Sequence, residues 1–129
     1  MFSKYRILIF TENPDELMKF YRDVLELPLD EANSLKLPND YGYMFTVNGD
    51  WKLWIGRHSG IKGASKEPFR HIFNLYVGSV GEWYDKIKSR GAKIVSEPCE
   101  TPFSTPEKPF WVSTFLDPEN NCFQFMGLP

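Results

Sequence analysis

The sequence predicts an α+β fold made of two βαβββ modules. They form a curved mixed sheet with a central cleft, and their helices lie on the outer face. Three observations predict it. First, an apolar run, Tyr5-Arg6-Ile7-Leu8-Ile9-Phe10, leads into Asn13-Pro14-Asp15-Glu16 and an amphipathic helix. A second run, His71-Ile72-Phe73-Asn74-Leu75-Tyr76-Val77, leads into Ser79-Val80-Gly81-Glu82 and another helix, at an offset of 66 residues from Asn13 to Ser79. Second, both helix starts carry capping-box spacing, Asn13 with Glu16 and Ser79 with Glu82. Third, each strand–helix pair is followed by further strand signals, so each module sets one helix against one face of a small sheet.

Taken in order, residues 4–10 read as a buried strand. Asn13 caps a helix with Pro14 in its first position, where a missing N–H is best tolerated. Leu17, Phe20, Tyr21 and Val24 recur at i, i+3, i+4 and i+7 and give one apolar stripe, which Pro28 ends. Residues 29–40 are polar and turn-rich, with room for a short strand. Tyr41–Val47 and Trp51–Arg57 flank the hairpin signal Asn48-Gly49-Asp50. A Gly- and Lys-bearing stretch at 59–69 reads as an exposed linker. The second helix places Val80, Trp83, Tyr84 and Ile87 on one face and stops at Gly91. Ala92–Val95 is a short strand. Pro98, Pro102, Pro106 and Pro109 make 96–109 a rigid loop. Phe110–Leu116 and Cys122–Gly127 form a last hairpin around Asp117-Pro118-Glu119-Asn120-Asn121, where Asn120 or Asn121 can take a left-handed conformation. The 129 residues thus form a single domain, 1–129, with module 1 at about 1–58, a linker at about 59–69 and module 2 at about 70–129.

Strand alternation separates two faces. Ile7, Ile9, Phe73, Leu75 and Val77 lie beneath the helices. Arg6, Leu8, Phe10, Ile72, Asn74 and Tyr76 face the opposite side. The aromatic share of 16%, with 11 Phe, 6 Tyr and 4 Trp, exceeds what a small core requires and suits a pocket for a flat ligand. A net charge of −2 with intermixed signs disfavours nucleic acid. Cys99 and Cys122 lack CxxC spacing, no secretory leader is read, and no apolar stretch reaches membrane-spanning length, so the expectation is a cytoplasmic, soluble chain.

Four stretches carry a resemblance: Phe20-Tyr21-Arg22-Asp23-Val24-Leu25-Glu26-Leu27, Val77-Gly78-Ser79-Val80, Gly91-Ala92-Lys93-Ile94-Val95-Ser96-Glu97-Pro98, and Phe115-Leu116-Asp117-Pro118-Glu119-Asn120-Asn121. In this order the chain resembles the vicinal oxygen chelate superfamily of glyoxalases, bleomycin-resistance proteins and dioxygenases. The resemblance implies four inward strand positions that hold metal ligands, usually His, Gln or Glu, in the superfamily's metalloenzymes. Counted from these motifs they fall on Arg6, Trp54, Ile72 and Gln124. Arg has no lone pair to give, Ile and Trp offer none, and one amide oxygen is a poor site, so no metal and no cofactor is expected. Shifting the count by one residue brings in His71, which then still needs two further ligands.

The resemblance therefore points to the metal-free members, which bind a small molecule and pair as homodimers. Arg6, Phe10, Trp54, Asn74, Tyr76 and Gln124 are the candidate ligand-binding residues: a cation for a carboxylate or phosphate, two amides, and aromatic walls. The expected function is small-molecule binding that sequesters a drug or metabolite. The alternatives are a metal-dependent lyase, isomerase or dioxygenase of the same superfamily, and a ligand-free dimeric interaction module. For Arg6, a buried salt bridge is the competing reading, and for Trp54 and Tyr76, ordinary core or interface.

Overall fold

A computed structural model describes residues 1–129. The chain divides into two compact units, Met1–Gly63 and Ala64–Pro129, each with one helix and one four-stranded mixed sheet. The α+β architecture of two βαβββ modules read from the sequence is what folds.

In the first unit, β1 (Tyr5–Thr11) runs parallel to β4 (Trp51–Arg57), which pairs antiparallel with β3 (Asp40–Asn48), and β3 pairs in turn with β2 (Leu29–Leu37). The β3–β4 hairpin closes over Gly49, at φ 54°, and Asp50. Helix α1 (Pro14–Lys19) starts as expected: the Asn13 side-chain oxygen accepts the Glu16 backbone N–H at 3.4 Å. The reciprocal half of the capping box is replaced. The Asn13 N–H donates to Thr11 Oγ1 and the Glu16 carboxylate pairs with Lys19.

Beyond Lys19 the helix widens into a π turn, Phe20–Val24, whose Leu25 N–H reaches back to the Phe20 carbonyl. The extra residue per turn advances the buried stripe by one position. Leu17, Phe20 and Tyr21 are buried as their spacing predicts, but Leu25 fills the core where Val24 was expected, and Val24 is only half-buried. Residues 29–37 form a nine-residue strand where mostly turn was expected. The strand is an edge, and an irregularity between Asp30 and Leu35 takes its polar middle out of the ladder, which hid its alternation.

In the second unit the order repeats. Strand β5 (Ile72–Val77) runs parallel to β8 (Cys122–Gly127), β8 pairs antiparallel with β7 (Trp111–Leu116), and β7 pairs with the edge strand β6 (Lys93–Glu100). Helix α2 (Val80–Ser89) is capped by Ser79, whose Oγ accepts the Glu82 N–H at 3.2 Å, and ends before Gly91 at φ 82°. Its Trp83 and Tyr84 rings meet Phe125 and Phe115 on the sheet, and Val80 and Ile87 are fully buried.

Strand β6 runs through Pro98 to Glu100, past the point where the prolines were expected to end regular structure. Pro98 sits in a register shift between Ser96 and Cys99 on an edge strand, a place where the ladder needs no N–H from it. The β7–β8 turn is built around buried Asp117. Its Oδ1 accepts the Glu119 and Asn121 N–H groups at 2.8 and 2.9 Å, and Asn120 takes the left-handed conformation at φ 65°.

Candidate functional site

Each sheet has one face under its helix and one turned away from it, and register decides what the second face carries. In the first unit, β1–β4 pairing sets Arg6 beside Lys52, Leu8 beside Trp54 and Phe10 beside Gly56. Strand β3 extends these rows with Thr46, Met44 and Gly42. Since side chains alternate, all nine point away from α1. One row is cationic, one apolar, and one carries two glycines.

The cationic row is half neutralised. Lys52 Nζ donates to Thr46 Oγ1 at 2.9 Å and lies 3.6 Å from Asp30 Oδ2. Asn33 first, and Lys52 after it, hold the Asp30 carboxyl below the usual carboxylate range. Arg6, next to Lys52 in the ladder, is exposed, and its side chain makes no hydrogen bond or ion pair. The buried salt bridge that the sequence left open for it is therefore not formed. Glu12, the carboxylate that follows β1, accepts the Gly63 N–H at 2.8 Å and pairs with Lys62.

The glycine row explains the position of Trp54. A Cβ placed on Gly56 would lie 2.0 Å from Trp54 Nε1, and one on Gly42 would lie 2.5 Å from Trp54 Cζ2, so the indole spans both glycines. Trp54 is only 7% exposed, an inner wall more than an open one. Phe10 remains partly exposed, edge-on to His58 at 5.2 Å, and His58 Nδ1 accepts the Gly60 N–H.

In the second unit the equivalent rows are neutral. Asn74, Gln124 and Thr114 form one row across β5, β8 and β7. On one side of it run Ile72, Cys122 and Leu116. On the other run Tyr76, Met126 and Val112. Gln124 Nε2 donates to Thr114 Oγ1 at 3.0 Å. Asn74 is exposed, and its side chain has no partner in the protein. Tyr76 is 73% exposed and lies against Phe110, with ring centroids 5.8 Å apart, and Phe110 in turn meets Phe103 at 5.4 Å. Burial pushes the Cys122 thiol up, with Asp117 adding to the effect.

Register also aligns the two modules. Leu8 partners Trp54 as Asn74 partners Gln124, and Leu8 and Asn74 differ by the repeat offset. Arg6 and Trp54 are diagonal neighbours on one face, as are Ile72 and Gln124 on the other. The structure thus groups Arg6, Phe10 and Trp54 on the first sheet, and Asn74, Tyr76 and Gln124 on the second.

These diagonals do not suit a divalent cation. A guanidinium, an indole and a sec-butyl group give no lone pair to a metal, which leaves a single amide oxygen. His71 is exposed just before β5, and nowhere do three His, Cys, Asp or Glu side chains come together. Four residues of these faces escaped the sequence reading. Lys52 and Thr114 were open to strand alternation. Asp30 was hidden in the unrecognised strand, and Phe103 lay in the proline-rich segment.

Solved structures share this architecture. UcmS2 superposes with a TM-score of 0.77 at 14% identity, over 98% of each chain. A putative glyoxalase family protein from Bacillus anthracis matches at 0.69 and 16%, over 100% of this chain and 97% of its own. Lactoylglutathione lyase from Agrobacterium tumefaciens matches at 0.66 and 18%, over 97% and 92%. At such identities the likeness shows the fold alone. No curated protein matches by sequence. The family model described as Glyoxalase/Bleomycin resistance protein/Dioxygenase superfamily matches residues 5–125, and it is to this superfamily that the chain belongs.

Proposed function

We propose that the chain binds a small organic molecule on the sheet faces turned away from its helices, without a resident metal ion, and that it sequesters a drug or metabolite. The observation that carries this reading is the state of Arg6. Its neighbour Lys52 is engaged by Asp30 and Thr46, whereas Arg6 is exposed and unpaired beside the apolar side chains of Leu8 and Phe10. A fixed planar cation next to apolar surface suits a flat molecule that bears a carboxylate.

The test combines metal analysis with ligand-dependent stability. Protein purified without chelator is assayed for bound divalent ions, then melted with 1-naphthoate and with its methyl ester. The carboxylate should raise the melting temperature, by about 2.7 kcal/mol of added stability at 100 times its Kd, and the ester should not. Arg6→Ala should abolish the difference between them. A stoichiometric divalent ion would overturn the metal-free reading and favour a metal-dependent lyase, isomerase or dioxygenase. Equal response to acid and ester would remove Arg6 from the site, and no stabilisation by either would favour the interaction module.

A further inference from the structure

We infer that the face of the second unit recognises a second ligand chemistry: an uncharged aromatic ring carrying a lactam or amide N–H. This rests on the reading of the sheet faces as metal-free binding surfaces. Three observations support it. The nine positions that β5, β8 and β7 contribute to this face hold no charged side chain, and Lys93, which β6 adds beside Leu116, is held by the Pro118 carbonyl and Asn120 Oδ1, so recognition in the Asn74–Gln124 row runs through neutral hydrogen bonds and apolar contact. The polar groups stand in one row rather than scattered. Asn74 and Gln124 occupy adjacent strands, about 4.8 Å apart, a separation a ring can bridge. The next position along β5, about 7 Å on, is the exposed Tyr76 ring, continued by Phe110 and Phe103, itself 65% exposed. Such a patch, its rings tilted by 53° and 34° to one another, offers aromatic faces and edges to an aromatic partner.

Polarity at Gln124 sets the ligand's requirement. Its Nε2 gives one N–H to Thr114 Oγ1, which leaves the side-chain carbonyl oxygen to accept and the second N–H to donate. The complementary ligand group pairs an N–H donor with a carbonyl acceptor, as a lactam does. Thr114, largely buried, is the positioning residue that fixes this orientation. Asn74, with both its oxygen and its NH2 uncommitted, can take the neighbouring carbonyl of a lactam.

The test uses the full 15N-labelled chain and three probes of one ring size: isoquinolin-1-one, its N-methyl derivative, which lacks the N–H, and 1-methoxyisoquinoline, which lacks both the N–H and the carbonyl. Isoquinolin-1-one should bind and shift the side-chain amide signals of Asn74 and Gln124. The N-methyl probe should bind about tenfold more weakly, as one lost hydrogen bond implies, and the methoxy probe at least as weakly. Gln124→Leu and Thr114→Val should each bring that ratio close to one, and Tyr76→Ala should weaken all three probes. Equal affinity of the three probes, a ratio that survives Gln124→Leu, or failure of all three to bind would overturn the inference. If 1-naphthoate binds through Arg6 while the three probes fail, this assignment alone falls. If probe binding appears only with added zinc or nickel, the metal-free reading beneath it falls.

Discussion

Gly56→Ala is the sharpest test of how the first sheet face is built. Neither Gly56 nor Gly42 has a positive φ, so backbone conformation does not demand glycine at either position. At Gly56 the demand comes from the Trp54 ring, and at Gly42 from that ring together with the Ile55 carbonyl oxygen, which a Cβ would meet at 2.5 Å. A methyl group on Gly56 would meet Trp54 Nε1 at 2.0 Å and Cδ1 at 2.8 Å, closer than a shift of a few tenths of an ångström can relieve. Replacing glycine in a strand by alanine otherwise gains about 0.5–1 kcal/mol. Overpacking of this kind costs about 1–3 kcal/mol. Full expulsion of the indole would expose about 150–250 Å² and cost about 4–6 kcal/mol at about 25 cal/mol per Å². Partial displacement lies between these, so a net loss of about 2–3 kcal/mol is expected. Urea unfolding followed by far-UV circular dichroism measures it as a lowered midpoint at constant slope. In a Trp54→Val background, which removes the ring, the same Gly56→Ala change should be neutral or slightly stabilising. The same loss in both backgrounds, or no loss in the parent, would refute the account of Trp54 seated on its glycines.

Two further outcomes follow from titrating groups elsewhere. The Tyr43 and Tyr41 hydroxyls both donate to Asp15 Oδ1, which holds the Asp15 carboxyl below its ordinary range and the Tyr43 phenol well above its own. The Asp15 contribution to stability is present above the unfolded carboxylate pKa and is lost as pH falls through the lowered folded value. The Tyr43 contribution is lost as pH rises above the usual phenol range. Ultraviolet titration should show one tyrosine ionising late, and Asp15→Asn should bring it back toward the others. For the thiols, Ellman's reagent should label exposed Cys99 in the native chain and reach buried Cys122 only on unfolding.

The parts of the fold that the sequence made legible are those where one periodicity held without interruption. The β1 and β5 alternations and the Asn13 and Ser79 caps are local patterns, and each survives folding. What was misread sits where a local pattern is broken for a reason visible only in three dimensions. The π turn moves the core contact from Val24 to Leu25. Strand β2 carries Glu31–Ser34 out of register, and Pro98 is tolerated because β6 has a free edge. At the candidate site, alternation was enough to sort Arg6, Phe10, Asn74 and Tyr76 by face. It did not show that Lys52 is neutralised from β2, nor that Thr114 orients Gln124, because both are cross-strand contacts between residues distant in sequence.

The duplication itself explains why the chemistry diverges where it does. Positions related by the offset of 66 fall into two classes. Beneath the helices the pairs are Ile7 with Phe73, Ile9 with Leu75 and Thr11 with Val77, and all but Thr11 remain apolar. Thr11 is the exception with a reason, since its hydroxyl accepts the Asn13 N–H at the helix start. On the opposite faces the pairs are Arg6 with Ile72, Leu8 with Asn74 and Phe10 with Tyr76, and the first two change class outright. A helix packed on one face punishes any change of polarity or volume there by a kcal/mol or more. On the face turned away from it the β1 and β5 positions are exposed and carry a smaller penalty, so a module can keep its fold while the chemistry at those positions is rewritten. An unpaired cation on one sheet and a neutral amide row on the other are the outcome of that freedom. The same asymmetry predicts that exchanging Leu8 and Asn74 would leave the fold intact and alter only what each face can bind.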